Sequence, residues 1–472
     1  MRFIRTLSIL TLFIYATLLL PAGTRAQSMT NGNSTATKSS SQATSAGGAA
    51  ASPDSSLALP ATDDGRTAQV LYAEARDYIA KKYMEFNRKH VPYSAPLDNK
   101  TKQEQRDVAA RYAEFVNARR SLSNDDRYFL GLLYQIAGNA DESLKALKNF
   151  LAAHESGPNE NAQSARLMIS ELSAKKNLLA EAEAARSEYL KNEPRRADKI
   201  FRMESLLAVT YRQAKNFDLA SSHARDALAA VKSLQGGTPA EQGARRDALN
   251  LSANFLADIY LDMKQPDEAA KVMEDMRQTA LRMPSSGLYR KATNRLVSLG
   301  RAVGALKLVE DTKANTEAAP ELVIKDWIDQ KPVKLSDLRG QVVLLDFWAP
   351  WCVPCRQTFP HLKSWHDKYK EKGLVILGLT HHDDVEEILK HDVSNKDSLN
   401  YLRRFKQDNQ LPYGFAVAQG GENDMRYDVS SIPTTFLIDR RGVIRYITVG
   451  VNKEETETLG LLIEKLLNEK VQ

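Results

Sequence analysis

Apolar residues change their spacing once along this chain. From Thr67 to about Asp311 they recur at intervals of three and four, with Ala abundant and Pro and Gly sparse. That interval fits a helix of about 3.6 residues per turn, so the stretch is expected to be helical throughout. From Pro320 onward, short apolar runs alternate with amphipathic ones. Glu321 to Trp327 and Lys331 to Leu335 read as a strand pair joined through Asp329-Gln330, with Ser336 to Gly340 as the turn that follows. Val342 to Phe347 reads as a buried strand, Pro350 as a break, and the residues after Cys352 as a helix. Gly373 to Leu379 is a second buried strand, and the β-α-β order implies a right-handed crossover between parallel neighbours. Leu399, Leu402 and Phe405 mark a further helix, and Phe415 to Ala418 a strand. A hairpin follows, of Thr434 to Asp439 and Val443 to Val449 across Arg440-Arg441-Gly442, and then an amphipathic closing helix from Lys453 to Leu467. The predicted fold class is multidomain: an all-α region followed by an α/β domain.

The helical stretch also resembles itself. Gly131-x-x-Tyr134 is followed by Gly138 and Asp141-Glu142-Ser143-Leu144. Ala208-x-x-Tyr211 is followed by Asn216-Phe217-Asp218-Leu219-Ala220, and Ala257-x-x-Tyr260 by Pro266-Asp267-Glu268-Ala269. A weaker copy runs through Leu172, Asn177 and Ala182 to Tyr189 and Pro194. The small residue lets two helices approach and the Tyr fills the gap between pairs, so stacked units bury a continuous core. The pattern resembles tetratricopeptide helix pairs. Its separations exceed that family's roughly 34 residues, and Gln235 to Gly243 interrupts the last pair. A degenerate TPR-like array is therefore expected, with an irregular bundle left open. The stretch offers no nucleophile, metal cluster or phosphate loop, so its expected role is protein docking or spacing.

Before Thr67 the chain reads as export machinery and tether. Met1 to Ala26 carries Arg2 and Arg5, an apolar stretch from Leu7 to Leu20 and then Pro21-Ala22-Gly23-Thr24-Arg25-Ala26. Basic, apolar and small-residue regions in that order fit a secretory signal cleaved after Ala26, with an uncleaved anchor left open. Residues 27–66 are rich in Ser, Thr, Ala and Gly, which cannot bury a core and suit a flexible tether. The expected division is signal 1–26, tether 27–66, helical region 67–311, linker 312–319 and α/β domain 320–472. The net charge of +6 and pI near 9.0 come from basic residues dispersed among acidic ones, without a long Lys/Arg run. A solvated surface is the expectation, with no nucleic-acid partner.

Cysteine use sharpens the picture, because the chain of 472 residues holds only two, Cys352 and Cys355. Cys352 is expected at a helix N-terminus, where unpaired N–H groups and the helix dipole favour a thiolate. A thiolate with a second thiol one turn away can attack a disulfide and then release itself. Export would put this dithiol in an oxidising compartment, where it stays reduced only if a donor supplies electrons.

The residues Asp346-Phe347-Trp348-Ala349-Pro350-Trp351-Cys352-Val353-Pro354-Cys355, with Pro360 and Ile432-Pro433-Thr434-Thr435-Phe436-Leu437-Ile438-Asp439, resemble a thioredoxin-fold domain of the TlpA/ResA group. The resemblance covers roughly residues 319–472 and implies an exported thiol-disulfide oxidoreductase without cofactor or metal. Its clients would be protein disulfides or thiols, and its electron source a thiol donor at the membrane. Family members reduce apocytochrome cysteines before haem attachment, or cysteines of copper-site proteins. The resemblance implies Cys352 as nucleophile, Cys355 as resolving thiol and Asp346 as the buried acid. It implies Trp351, Ile432 and Pro433 as substrate-contacting, with Pro433 cis. Some relatives carry Asn at the strand position and a Glu three residues after the second Cys; here Asp346 and Thr358 stand there, which moves the acid-base role to Asp346.

Two other readings compete. Cys352 and Cys355 could hold Cu(I) with His381 or His382, since thiolates are soft ligands. The helical region could instead be a protein-interaction scaffold carrying a passive redox module. A peroxidase is disfavoured, because Ala349 stands where a Thr would shape the peroxide site. Val353-Pro354 lacks the His of strongly oxidising relatives, which favours a reductant.

Overall fold

The computed structural model describes residues 63, 65–153, 157–301 and 317–469. The expected signal, nearly all of the tether and most of the linker lie outside the described residues. The chain divides into two units between Thr210 and Tyr211.

The first unit is built from α1 (Ala68–Arg88), α2 (Ala95–Asn117), α3 (Asn124–Ala137), α4 (Ala140–Ala152), α5 (Glu160–Lys175), α6 (Leu179–Lys191) and most of α7 (Ala197–Gln213). Polar residues start these helices: Thr67, Ser94, Ser123, Asn139 and Asn159 each accept a backbone N–H of the first turn. Leu71, Ala109, Ala113, Val116 and Leu133 pack into one core cluster, and Leu147, Phe150, Ala162, Ala165 and Ile169 into the next. Gly131 earns its place by close approach. A Cβ there would lie 2.7 Å from Leu147 Cγ, so only glycine lets α3 and α4 close on each other.

The second unit opens with α8 (Phe217–Ser233), α9 (Pro239–Asp262), α10 (Pro266–Arg282) and α11 (Ser286–Ser298). The interruption at Gln235 to Gly243 ends in a capping box of Thr238 and Glu241 with Pro239 at the first helical position, so it starts a helix.

The repetition seen in the sequence is a repetition of turns. Gly138, Asn177, Lys215 and Lys264 all take a positive φ, between 59° and 84°. At each turn the next residue's N–H returns to a carbonyl five positions back: Asn139 to Tyr134, Leu178 to Ser173, Asn216 to Tyr211 and Gln265 to Tyr260. Three of those carbonyls belong to the repeating Tyr. The weaker copy through Asn177 has the same turn as the others.

The α/β domain of this unit forms a six-stranded mixed sheet: β1 (Asp326–Ile328), β2 (Val342–Phe347), β3 (Leu374–His381), β4 (Gly414–Ala418), β5 (Thr434–Ile438) and β6 (Ile444–Val449), in the order β1-β4-β3-β2-β5-β6. Here β2 lies parallel to β3 and antiparallel to β5, and all six of its residues are buried, Asp346 among them. Helix α12 (Val353–Tyr369) makes the crossover from β2 to β3. Between β3 and β4 come α13 (Asp383–Leu389) and α14 (Asn395–Asp408); α15 (Glu422–Tyr427) precedes β5, and α16 (Lys453–Asn468) closes the chain.

The entry to the domain differs from expectation. Residues 331–335 form no strand, and β1 pairs antiparallel with β4 instead. Asp329, at φ 50°, turns the chain out of the sheet. The Glu321 carboxylate then accepts the N–H groups of Leu335 and Ser336, at 2.8 and 2.9 Å, which start a 3₁₀ turn rather than a ladder.

Candidate active site

The central strand delivers the cysteines. Trp348 N–H still pairs with Leu379 O after β2 ends, and the chain then turns through Ala349 to Trp351 so that Cys352 becomes the N-cap of α12. Pro354 sits in the first helical turn, where no N–H is needed. Cys352 and Cys355 form a disulfide, with Cα atoms 5.3 Å apart, and Cys355 N–H donates to Cys352 Sγ at 3.2 Å. Both residues are buried, Cys352 at 3% exposure and Cys355 at 0%. Arg356 donates to Pro350 O at 2.9 Å and lies over the Phe405 ring, bracing the turn from behind. Thr358 bonds back to Cys355 O at 2.7 Å and faces its own helix.

Trp348 anchors the turn. It is fully buried against Phe359, Phe405 and Phe415, with ring centroids 4.9 to 5.7 Å apart. Gly378 on β3 makes the room, since a Cβ there would stand 2.8 Å from Trp348 Nε1.

Asp346 occupies the fifth position of β2, between Gly378 and Thr435 on the flanking strands. It is completely buried. Thr435 Oγ1 donates to its Oδ1 at 2.8 Å, and Oδ2 has no protein partner. Burial outweighs the single hydrogen bond and raises its pKa to about 7.

A cleft of about 410 Å³ is bordered by Phe347, Trp348 and Trp351, the last of these one residue before Cys352, by Leu379, His381 and Asp384, and by Asp424 and Val429 to Ile432. The Ile432–Pro433 peptide is cis. Trp351 is half exposed, and its Nε1 donates to Asp384 Oδ1 at 3.0 Å. Asp384 Oδ2 accepts from Thr380 Oγ1 and from His381 N–H, and lies 3.3 Å from His381 Nδ1. His381 Nε2 lies 2.8 Å from Asp424 Oδ2, at ion-pair distance but out of line for a hydrogen bond. Burial lowers the His381 pKa, but the two carboxylates prevail and raise it to about 10, so the ring is a cation in the neutral range.

The polar segment after β3 contributes to this site. It begins as α13, and Asp384 reaches the cleft. Sequence reasoning missed this network, whose members come from the Trp351 turn, β3, α13 and α15. The paired His381-His382 was its one visible signal. His382 is itself buried between Ser398 Oγ and Asp326, at 3.0 and 2.9 Å. With both histidines engaged by carboxylates, neither ring is free to complete a copper site with the sulfurs. Among the described residues no cluster of three or more His, Cys, Asp or Glu has the arrangement to hold a metal.

A dithiol-disulfide pair capping the helix after the central strand, with a cis-proline before the antiparallel neighbour strand, defines a thioredoxin-fold thiol-disulfide oxidoreductase. The AhpC/TSA family model matches residues 316–447. Thiol-disulfide oxidoreductase ResA of Bacillus thuringiensis subsp. konkukian is 36% identical over 140 residues, which are 29% of this chain and 72% of ResA. Protein DipZ of Mycobacterium bovis is 28% identical over 227 residues, 46% of this chain and 31% of DipZ. A candidate thiol:disulfide interchange protein DsbE from Chlorobium tepidum shares 34% identity over 32% of this chain and 97% of its own, with a TM-score of 0.26. The chain belongs to the ResA-type thiol-disulfide oxidoreductases, as an AhpC/TSA redox domain preceded by a helical region.

Proposed function

We propose that the protein is an exported reductase of protein disulfides. The observation that carries this reading is the arrangement of the pair: Cys352 is the N-cap of α12, and Cys355 lies one turn inside the helix, fully buried. In the reduced state the α12 N-terminus favours the Cys352 thiolate, which attacks one sulfur of a client disulfide and expels the other as a thiolate. Cys355 then gives its proton to Asp346 and attacks Cys352 Sγ. The second client sulfur leaves, the client ends with two thiols, and Cys352–Cys355 becomes the disulfide. Two electrons pass to the client, and a thiol donor must return them.

The reducing direction is supported by Val353-Pro354 between the cysteines, which places no cation there to stabilise a reduced thiolate further. Export is supported by the basic, apolar and small-residue order of residues 1–26. Members of the ResA group would be served by a membrane thiol donor, and the helical region offers a surface for docking a protein partner.

Equilibrating the protein in redox buffers tests the direction. A reductase has a Cys352/Cys355 potential near or below about −230 mV, whereas about −120 to −180 mV marks an oxidase or isomerase. The nucleophile is tested with Cys355→Ser, which should accumulate DTT-sensitive adducts with client proteins through Cys352. If no such adducts form, the assignment of Cys352 is wrong.

A further inference from the structure

One cleft wall is held from the helical side of the second unit. Asp428 ends α15 with φ 48°, a left-handed conformation that Asp tolerates better than most side chains, and both its carboxylate and its carbonyl are held by their surroundings. Those surroundings come from α9 and α11. The Asp428 carboxylate accepts the hydroxyl of Ser285, the N-cap of α11, and pairs with Arg246 of α9 at 3.3 Å. Its carbonyl accepts from Ser286 Oγ at 2.7 Å and from Gly287 N–H at 3.3 Å. A Cβ on Gly287 would stand 2.9 Å from Asp428 Oδ2, inside the gap that Ser285 bridges. One turn further along α11, Arg290 donates to Ser431 Oγ at 3.0 Å.

Asp428 leads directly into Val429, Ser430, Ser431 and Ile432, all of which border the cleft. These residues belong to no helix or strand, so their position depends on what holds each end. Pro433 O fixes one end by accepting Gly450 N–H at 2.8 Å, and Asp428 fixes the other. Helix α11 is itself anchored to the sheet. Tyr289 packs edge-on against Tyr446 of β6 at 6.1 Å, and Arg277 of α10 donates to the Tyr289 hydroxyl at 3.1 Å.

We propose that α11 is part of the client-binding site: Ser285 to Gly287 position the 429–432 wall through Asp428, and Arg290 extends that wall beyond the redox domain. The inference rests on the reading of the cleft as the seat of a disulfide client. It makes client docking depend on the helical region while the chemistry of the cysteine pair does not. Asp428 and Gly287 are positioning residues, and Arg290 a specificity-determining one.

The test uses the full chain with Gly287→Ala, Arg290→Ala and Arg290→Lys, with insulin as the disulfide substrate and DTT as the donor. Arg290→Ala is a surface change and leaves the fold intact. KM for insulin should rise about three- to tenfold in Gly287→Ala and Arg290→Ala while kcat stays within about twofold, the signature of lost docking rather than lost chemistry. Arg290→Lys, which can still donate to Ser431, should recover most of the loss. The rate at which DTT alone reduces the Cys352–Cys355 disulfide should not change, since a small dithiol needs no wall. An unchanged KM in both alanine variants overturns the inference, as does a fall in kcat and in the DTT rate that merely follows a lowered melting temperature. A wild-type protein unable to reduce insulin overturns the reductase reading, and this inference with it.

Discussion

Asp346 is costly to ionise and keeps its proton up to neutral pH. In the unfolded chain an aspartate releases its proton near 3.8; here burial moves that to about 7. The sign follows from linkage. Between those two values the unfolded state binds fewer protons than the folded one, so stability is fully present below about pH 4 and is lost as pH rises through 7. The loss approaches about 4 kcal/mol at most. Asp346→Asn removes the titration, so urea unfolding of the oxidised protein should show the variant gaining on wild type from pH 4.5 to pH 8. A stability difference that stays level with pH would place the Asp346 pKa at its ordinary value. The same substitution should slow resolution of the mixed disulfide about 10²-fold or more and erase an inflection near pH 7 in that step, because no carboxylate remains to take the Cys355 proton. The cysteines stood out in the sequence as the only two, while Asp346 and the Ile432-Pro433 pair were picked out through the family resemblance. His381 was legible only as chemistry without an address. Its partners Asp384 and Asp424 lie on two later helices, and nothing in their spacing marks them as neighbours.

At the scale of elements, periodicity found most of the sheet and both ends of the central crossover. Val342 to Phe347 is apolar at every position but Asp346 and buried throughout, and that near-continuous run is visible without a structure. The misread strand at residues 331–335 has a physical cause. Alternating Val333 and Leu335 mimic an edge strand, but the decision rests with the Glu321 carboxylate that captures the Leu335 and Ser336 N–H groups. No local pattern carries that contact. Packing of β3 on the cysteine turn was likewise invisible, since Gly378 reads as an ordinary glycine in a strand until Trp348 is seen against it. Gly378→Ala forces a methyl to within 2.8 Å of Trp348 Nε1 and 3.3 Å of Phe415 Cδ1. Overpacking of that kind costs about 1–3 kcal/mol. The midpoint of chemical unfolding should fall accordingly, and the Trp fluorescence of the folded state should shift as Trp348 is displaced. A midpoint equal to wild type would mean that the aromatic cluster yields more easily than its burial implies.

At the scale of the whole chain, the compartment decides what two cysteines can do. In a reducing cytosol a lone CxxC pair would rest as a dithiol without assistance; outside it, the same pair oxidises unless electrons are delivered. The argument for export is independent of the redox domain. It rests on Arg2 and Arg5, the apolar stretch from Leu7 to Leu20, and the small residues before Ala26. The apolar stretch is shorter than the roughly 20 residues a spanning helix requires, which favours cleavage over anchoring. On that reading the Ser-, Ala- and Gly-rich residues that follow would separate the cleavage point from the first packed helix at Ala68. When the 472-residue chain is expressed in a secreting bacterial host, the recovered protein should therefore begin at Gln27. Intact mass should show the loss of residues 1–26, and thiol trapping should find the Cys352–Cys355 pair oxidised unless a donor is co-expressed. A full-length mass in the membrane fraction would make the segment an anchor and keep the redox domain at the membrane surface. A full-length mass in the cytosol with both thiols free would remove the export reading, and with it the need for a donor.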